Sequence, residues 1–167
     1  MKKLLAAFAL FTLASCAGME PLSDADKTVE KVVEVPGYTK DQIYTATKIW
    51  LAENFVSSKS VIEVDDKESG RIIGNANIKY PCSGGMDCLA KMHWRLNVSL
   101  RVDMKDQKFK LAFTNMSWSA PGSNTSPAYD NIPLSRKGEI EEVKPALDKI
   151  GDQLRDAIVK EKAEKDW

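Results

Sequence analysis

The chain has 167 residues, with 24 Lys plus Arg against 24 Asp plus Glu, three cysteines and one histidine. That length suits one domain, and 43% hydrophobic with 29% charged residues is a globular composition, which excludes a disordered chain and a multi-span membrane protein. The even charge argues against a nucleic-acid binder, and so few soft ligands exclude a zinc ribbon, a His-rich metal site and a disulfide-dense miniprotein; neither a metal nor a cofactor is expected.

In chain order, Met1-Lys2-Lys3 is a short basic start, and Leu4 to Leu13 is an almost unbroken apolar run closed by Ala14 and Ser15 before Cys16. This is a secretory signal layout. The run is about half the roughly twenty residues a membrane-spanning helix needs, so a permanent span is disfavoured. Leu13-Ala14-Ser15-Cys16 resembles the bacterial lipobox, where the chain is cut just before the cysteine and its sulfur receives a diacylglyceryl group. The resemblance implies removal of residues 1–15, lipidation of Cys16, and a durable membrane anchor, since each buried acyl methylene contributes about 0.8 kcal/mol. By the same likeness to Gram-negative lipoproteins, Ala17 where an Asp would signal retention implies the outer membrane, facing the periplasm. The alternative is ordinary secretion with an incidental cysteine.

Residues 16–27 have no periodicity and read as a polar tether. Alternation through Val29, Lys31, Val33 and Val35 before Pro36-Gly37 predicts a first strand. Thr39 followed three residues on by Gln42 is a capping box, and Ile43, Ala46, Thr47, Trp50, Leu51 and Asn54 then fall on one helical face. Ser60 to Asp65 and Arg71 to Tyr80 read as a hairpin joined by a polar turn. Cys82 and Cys88 are an even pair once Cys16 is set aside, and in an oxidising compartment a disulfide is expected, contributing about 2 kcal/mol as a clip on a hairpin loop. A redox pair is the competing reading, against which the spacing is not C-x-x-C.

From Met92 to Met104 every even position is apolar and every odd one polar, which predicts an antiparallel strand with one covered and one wet face. Phe109, Leu111 and Phe113 continue the covered face, then Met116 and Trp118 change parity, so a bulge is expected near Thr114 or Asn115. Residues 120–137 are polar and punctuated by proline, and read as a long loop. Ile140, Val143, Leu147, Ile150, Leu154 and Ile158 mark an amphipathic helix over 138–164, which Pro145 either starts or kinks. The expected fold is α+β: a two-layer sandwich with a curved antiparallel sheet of about five strands, order β-α-β-β-β-β-α, and helices on one face.

The segments Pro36-Gly37-Tyr38-Thr39-Lys40-Asp41-Gln42-Ile43-Tyr44, Lys48-Ile49-Trp50-Leu51-Ala52-Glu53-Asn54-Phe55 and Val61 through Gly74 resemble a bacterial envelope domain of unknown function with a TBP-like fold. The likeness runs from about Val29 to Trp118, within an expected domain over 28–119. It implies helices backing a curved sheet, and it implies no reaction.

Motifs for a nucleophile elbow, a P-loop or a dinucleotide site are missing. A triad of His93, Ser99 and Asp103 fails on distance, because six strand residues between His93 and Ser99 span about 20 Å. Asp65, Asp66 and Glu68 lack the spacing of a calcium loop and read as a solvated turn. What remains is the wet face, where the third to fifth strands present Arg71, Asn75, Asn77, Lys79, His93, Arg95, Asn97, Arg101, Lys108 and Lys110 with Asp103 as the only acid, and the second strand adds Glu63 and Asp65. It reads either as plain solvated sheet or as a docking face for an anionic envelope ligand or an envelope protein. A non-enzymatic lipid-anchored module is favoured over an envelope hydrolase acting on cell-wall or lipid material. Asn97, Asn115 and Asn124 begin Asn-x-Ser/Thr matches read as chance.

Overall fold

The computed structural model describes residues 19–55, 62–123 and 126–165, with side chains through Glu161. The signal segment, Cys16, the first two residues of the expected strand at Ser60, and Asn124 lie outside the described residues. The elements are β1 (Val29–Glu34), α1 (Lys40–Asn54), β2 (Ile62–Asp66), β3 (Arg71–Lys79), α2 (Gly85–Ala90), β4 (Arg95–Lys105), β5 (Lys108–Ala120), β6 (Tyr129–Pro133) and α3 (Lys137–Lys165).

The capping box forms as its spacing dictates. Thr39 Oγ1 accepts from the Gln42 N–H at 3.3 Å, and Gln42 Oε1 accepts from the Thr39 N–H at 2.9 Å, which satisfies two donors that a helix start leaves open. Ile43, Ala46, Thr47, Trp50 and Leu51 of α1 are buried. They face the same core as Val143, Leu147, Ile150, Leu154 and Ile158 of α3, over the even-numbered residues of β4 and Phe109, Leu111 and Phe113 of β5. Each fully buried side chain of this kind contributes about 1.5–3 kcal/mol, so this layer holds the fold. Pro145 sits inside α3 without ending it.

The sheet is antiparallel in the order β1-β5-β4-β3-β2, with β6 also on β5. β1 pairs with Lys108–Phe113 and β6 with Ser117–Ala120, so two strands share one edge of β5. Between them lies a bulge, where the β4–β5 register shifts between Asn97 and Ser99 and Asn115 takes φ 50°. Asn tolerates that left-handed conformation better than most residues, and the extra residue carries Met116 inward.

Four expectations change. Tyr129–Pro133, inside the expected 120–137 loop, is a strand paired with β5, which brings the expected sheet of about five strands to six. Residues 85–90 are helical instead of hairpin loop, with the Cys82–Cys88 disulfide closing across them. His93 is not on a strand: Trp94 N–H donates to Lys91 O at 3.0 Å, a turn that delays the ladder to Arg95. Of the expected tether, residues from Glu20 onward are docked on the domain, since Leu22 N–H donates to Ser135 O and Lys137 N–H to Glu20 O, both at 3.0 Å.

Candidate functional site

The helices leave the other face of the sheet open, and strand parity decides what it shows. Arg71, Asn75, Asn77 and Lys79 of β3 stand opposite Asp103, Ser99, Asn97 and Arg95 of β4. Beyond the bulge, Ser117 and Ser119 of β5 stand opposite Asn97 and Arg95, and β6 adds Asn131. Together Asn75, Asn77, Asn97, Ser99, Asn115, Ser117 and Asn131 line a trough of about 420 Å³.

The trough carries two hydrogen-bonded sets of polar groups, neutral except for the Glu63 carboxylate at the end of one. Asn77 Nδ2 donates to Asn97 Oδ1 at 2.5 Å, and Asn97 Nδ2 donates to Ser119 Oγ at 3.0 Å and Asn131 Oδ1 at 3.1 Å. Asn115 Nδ2 donates to Ser99 Oγ at 3.2 Å, which donates to Asn75 Oδ1 at 3.0 Å, and Asn75 Nδ2 donates to Glu63 Oε1 at 2.7 Å. Such a network orients amides and hydroxyls before any ligand arrives, which lowers the ordering cost of binding.

Charges sit at the two ends of the trough. At the end nearest the β4–β5 hairpin, Asp103 accepts from Arg71 Nε at 2.7 Å and from Arg101 Nε at 2.6 Å. Burial pushes the Asp103 carboxyl up, but the two guanidiniums together hold it below the ordinary carboxylate value. Lys110 pairs with Glu30 of β1 at 3.0 Å, and Lys108 stands opposite Glu34. The expected excess of positive charge is therefore answered in part at this end, where Lys105 and Lys108 are also direct cross-strand partners. At the other end Lys79 and Arg95 are direct cross-strand partners, and neither makes an ion pair among the described residues. Opposed like charges destabilise a sheet.

Asp65, expected here, faces the helices instead. The β2–β3 register shifts between Ile62 and Val64, which keeps Glu63 on the open face and turns Asp65 toward α1. There it accepts from the Tyr44 hydroxyl and from Lys48 Nζ at 2.7 Å. Burial, with the Asp65 carboxylate beside it, pushes the Tyr44 phenol up to about 12. His93 is exposed in the turn before β4 and stays away from Ser99. Sequence reasoning missed Asn115, Ser117 and Asn131 as trough residues, along with Ser119 as the hydroxyl that accepts from Asn97. The parity change at Met116 was the available signal for the first two; nothing comparable marks Asn131, which lies on the unexpected strand. Among the described residues no three His, Cys, Asp or Glu side chains are grouped to hold a metal, and no helix is long and apolar enough to cross a membrane.

Residues 30–119 match the family model described as a domain of unknown function (DUF4468) with TBP-like fold. The chain belongs to this family. Two solved structures share the fold of this DUF4468 protein. One is a TBP-like protein from Parabacteroides distasonis, with a TM-score of 0.60 and 13% identity, covering 86% of this chain and 97% of that one. The other is a DUF4468 family protein from Bacteroides ovatus, with a TM-score of 0.50 and 16% identity, covering 87% and 88%. No curated protein matches.

Proposed function

We propose that this DUF4468 protein is a non-enzymatic binding module of the bacterial envelope, lipid-anchored through Cys16 to the outer membrane and facing the periplasm, and that it takes its ligand on the open face of the sheet. The anchor is supported by the lipobox-like Leu13-Ala14-Ser15-Cys16 behind a basic start and an apolar run. The observation that carries the binding reading is the Lys79–Arg95 pair, two opposed cations without an acid partner among the described residues at one end of an ordered amide trough. A carboxylate or phosphate on an envelope glycan or protein would relieve that repulsion while its neutral polar groups exchange hydrogen bonds with Asn77, Asn97 and Asn131.

The test is crosslinking in intact cells with the anchor present, comparing the parent chain with Lys79→Glu/Arg95→Glu. Loss of the crosslinked species at unchanged thermal stability is the expected result; retained crosslinking through the same face would sink the binding reading. The anchor is tested apart, by incorporation of labelled fatty acid and by release of Cys16→Ser from membranes.

A further inference from the structure

Two observations converge on one end of the molecule. The first is where the chain leaves the domain. Glu20 is fastened beside the first turn of α3, by the Lys137 N–H bond to its carbonyl and by Lys137 Nζ on its carboxylate at 2.6 Å. Three residues lie between Cys16 and Glu20, so the four steps of chain reach at most about 14 Å when fully extended. The 29 residues of α3 run about 43 Å, so a lipid on Cys16 reaches a bilayer only near the start of that helix.

The second observation is what else stands there. Glu142, about 7.5 Å along α3 from Lys137, is ion-paired to Lys91 just after α2 and accepts from the Tyr80 hydroxyl at 3.4 Å. Lys91 also holds Asp87 of α2 at 3.0 Å, and the Cys82–Cys88 disulfide closes the segment. On this fastened cap Met86, Leu89 and Met92, spaced by three, are 79%, 64% and 51% exposed. The held backbone keeps three large apolar side chains facing outward, and such a patch marks a contact surface. Behind it Trp94 and Trp118 stack at 4.5 Å, and Tyr129 packs on Trp118 at 5.3 Å.

We infer that the α2 cap is a second membrane contact: Met86, Leu89 and Met92 rest in the interfacial zone of the bilayer that carries the Cys16 lipid, so the domain sits against the membrane instead of floating from it. This rests on the lipid-anchor reading. The tether length selects a lipid surface over other occupants, because any bilayer holding Cys16 lies within reach of this end. A weakly binding single contact becomes effective when the anchor fixes it at high local concentration.

The test uses the full acylated chain in phosphatidylethanolamine/phosphatidylglycerol vesicles with brominated acyl chains. The tryptophan emission added by Met86→Trp is compared with that added by Lys67→Trp, in the turn about 30 Å away at the opposite end of β3. Expected are a blue shift and loss of emission for Met86→Trp, with Lys67→Trp unaffected. Unquenched emission from both, on chain that floats with the vesicles, overturns the docking while leaving the anchor intact. A blue shift without quenching, accompanied by crosslinked dimers, overturns it in favour of a second copy covering the cap. Failure to float with vesicles removes the anchor, and the docking with it.

Discussion

Along β4, one strand serves two regions with opposite demands. Leu96, Val98, Leu100, Val102 and Met104 are buried under the helices, whereas Arg95, Asn97, Ser99, Arg101 and Asp103 alternate with them on the open side. A change on the buried side removes packing that nothing replaces, while on the open side water stands ready to replace a lost partner. Binding can therefore be altered on one side of a strand without loss of the fold, provided its other side is left alone.

The two sides of the sheet are expected to differ most in a pair of truncations on neighbouring strands. Phe113→Ala, at a fully buried ring, is expected to cost about 3–5 kcal/mol in denaturant unfolding. Asn97→Ala, which removes the hub of the trough, is expected to cost about 1 kcal/mol and leave the far-UV spectrum intact. Equal losses would mean that the open network also holds the fold. Asp103→Asn comes next, at about 1 kcal/mol or less near neutral pH, because both its partners are substantially exposed. Its sign follows from a carboxyl held below its ordinary value: the parent chain has that contribution above about pH 4 and loses it as the pH falls through the depressed value. Acid titration of unfolding should thus show a smaller difference between parent and variant the lower the pH.

The smallest effect has the opposite direction. Lys79→Glu places an acid opposite Arg95 and is expected to raise stability by a few tenths of a kcal/mol, read as an upward shift in Tm. Loss of stability instead would mean that Lys79 has a structural role.

The elements legible in the sequence are those where one physical rule acts alone. Thr39 and Gln42 mark the start of α1 by hydrogen-bond geometry, and the parity of β4 follows from one-sided burial. The bulge at Asn115 is legible because it shifts Met116 and Trp118. β6 is not, because all five of its residues are exposed, Asn131 interrupts it at φ 52°, and Pro133 ends it, which leaves no alternation to read. α2 hides behind Gly84 and Gly85, and it is held by a disulfide and by Glu142, 51 residues beyond Lys91. Half of the trough is legible as β3 and β4 residues; the rest comes from β5 and β6 after the register change.

The shared edge of β5 bears on what the unit of folding is. A chain ending at residue 119, where the family match stops, would lack β6, the partner of Ser117 and Trp118, and all of α3, uncovering Leu111 beside Gly151 and removing Val143, Leu147, Ile150, Leu154 and Ile158 from the core. Such a fragment would present a raw strand margin and an oily plane to its neighbours, a recipe for clumping. The shared core thus runs past the family match, as far as Ile158 in α3.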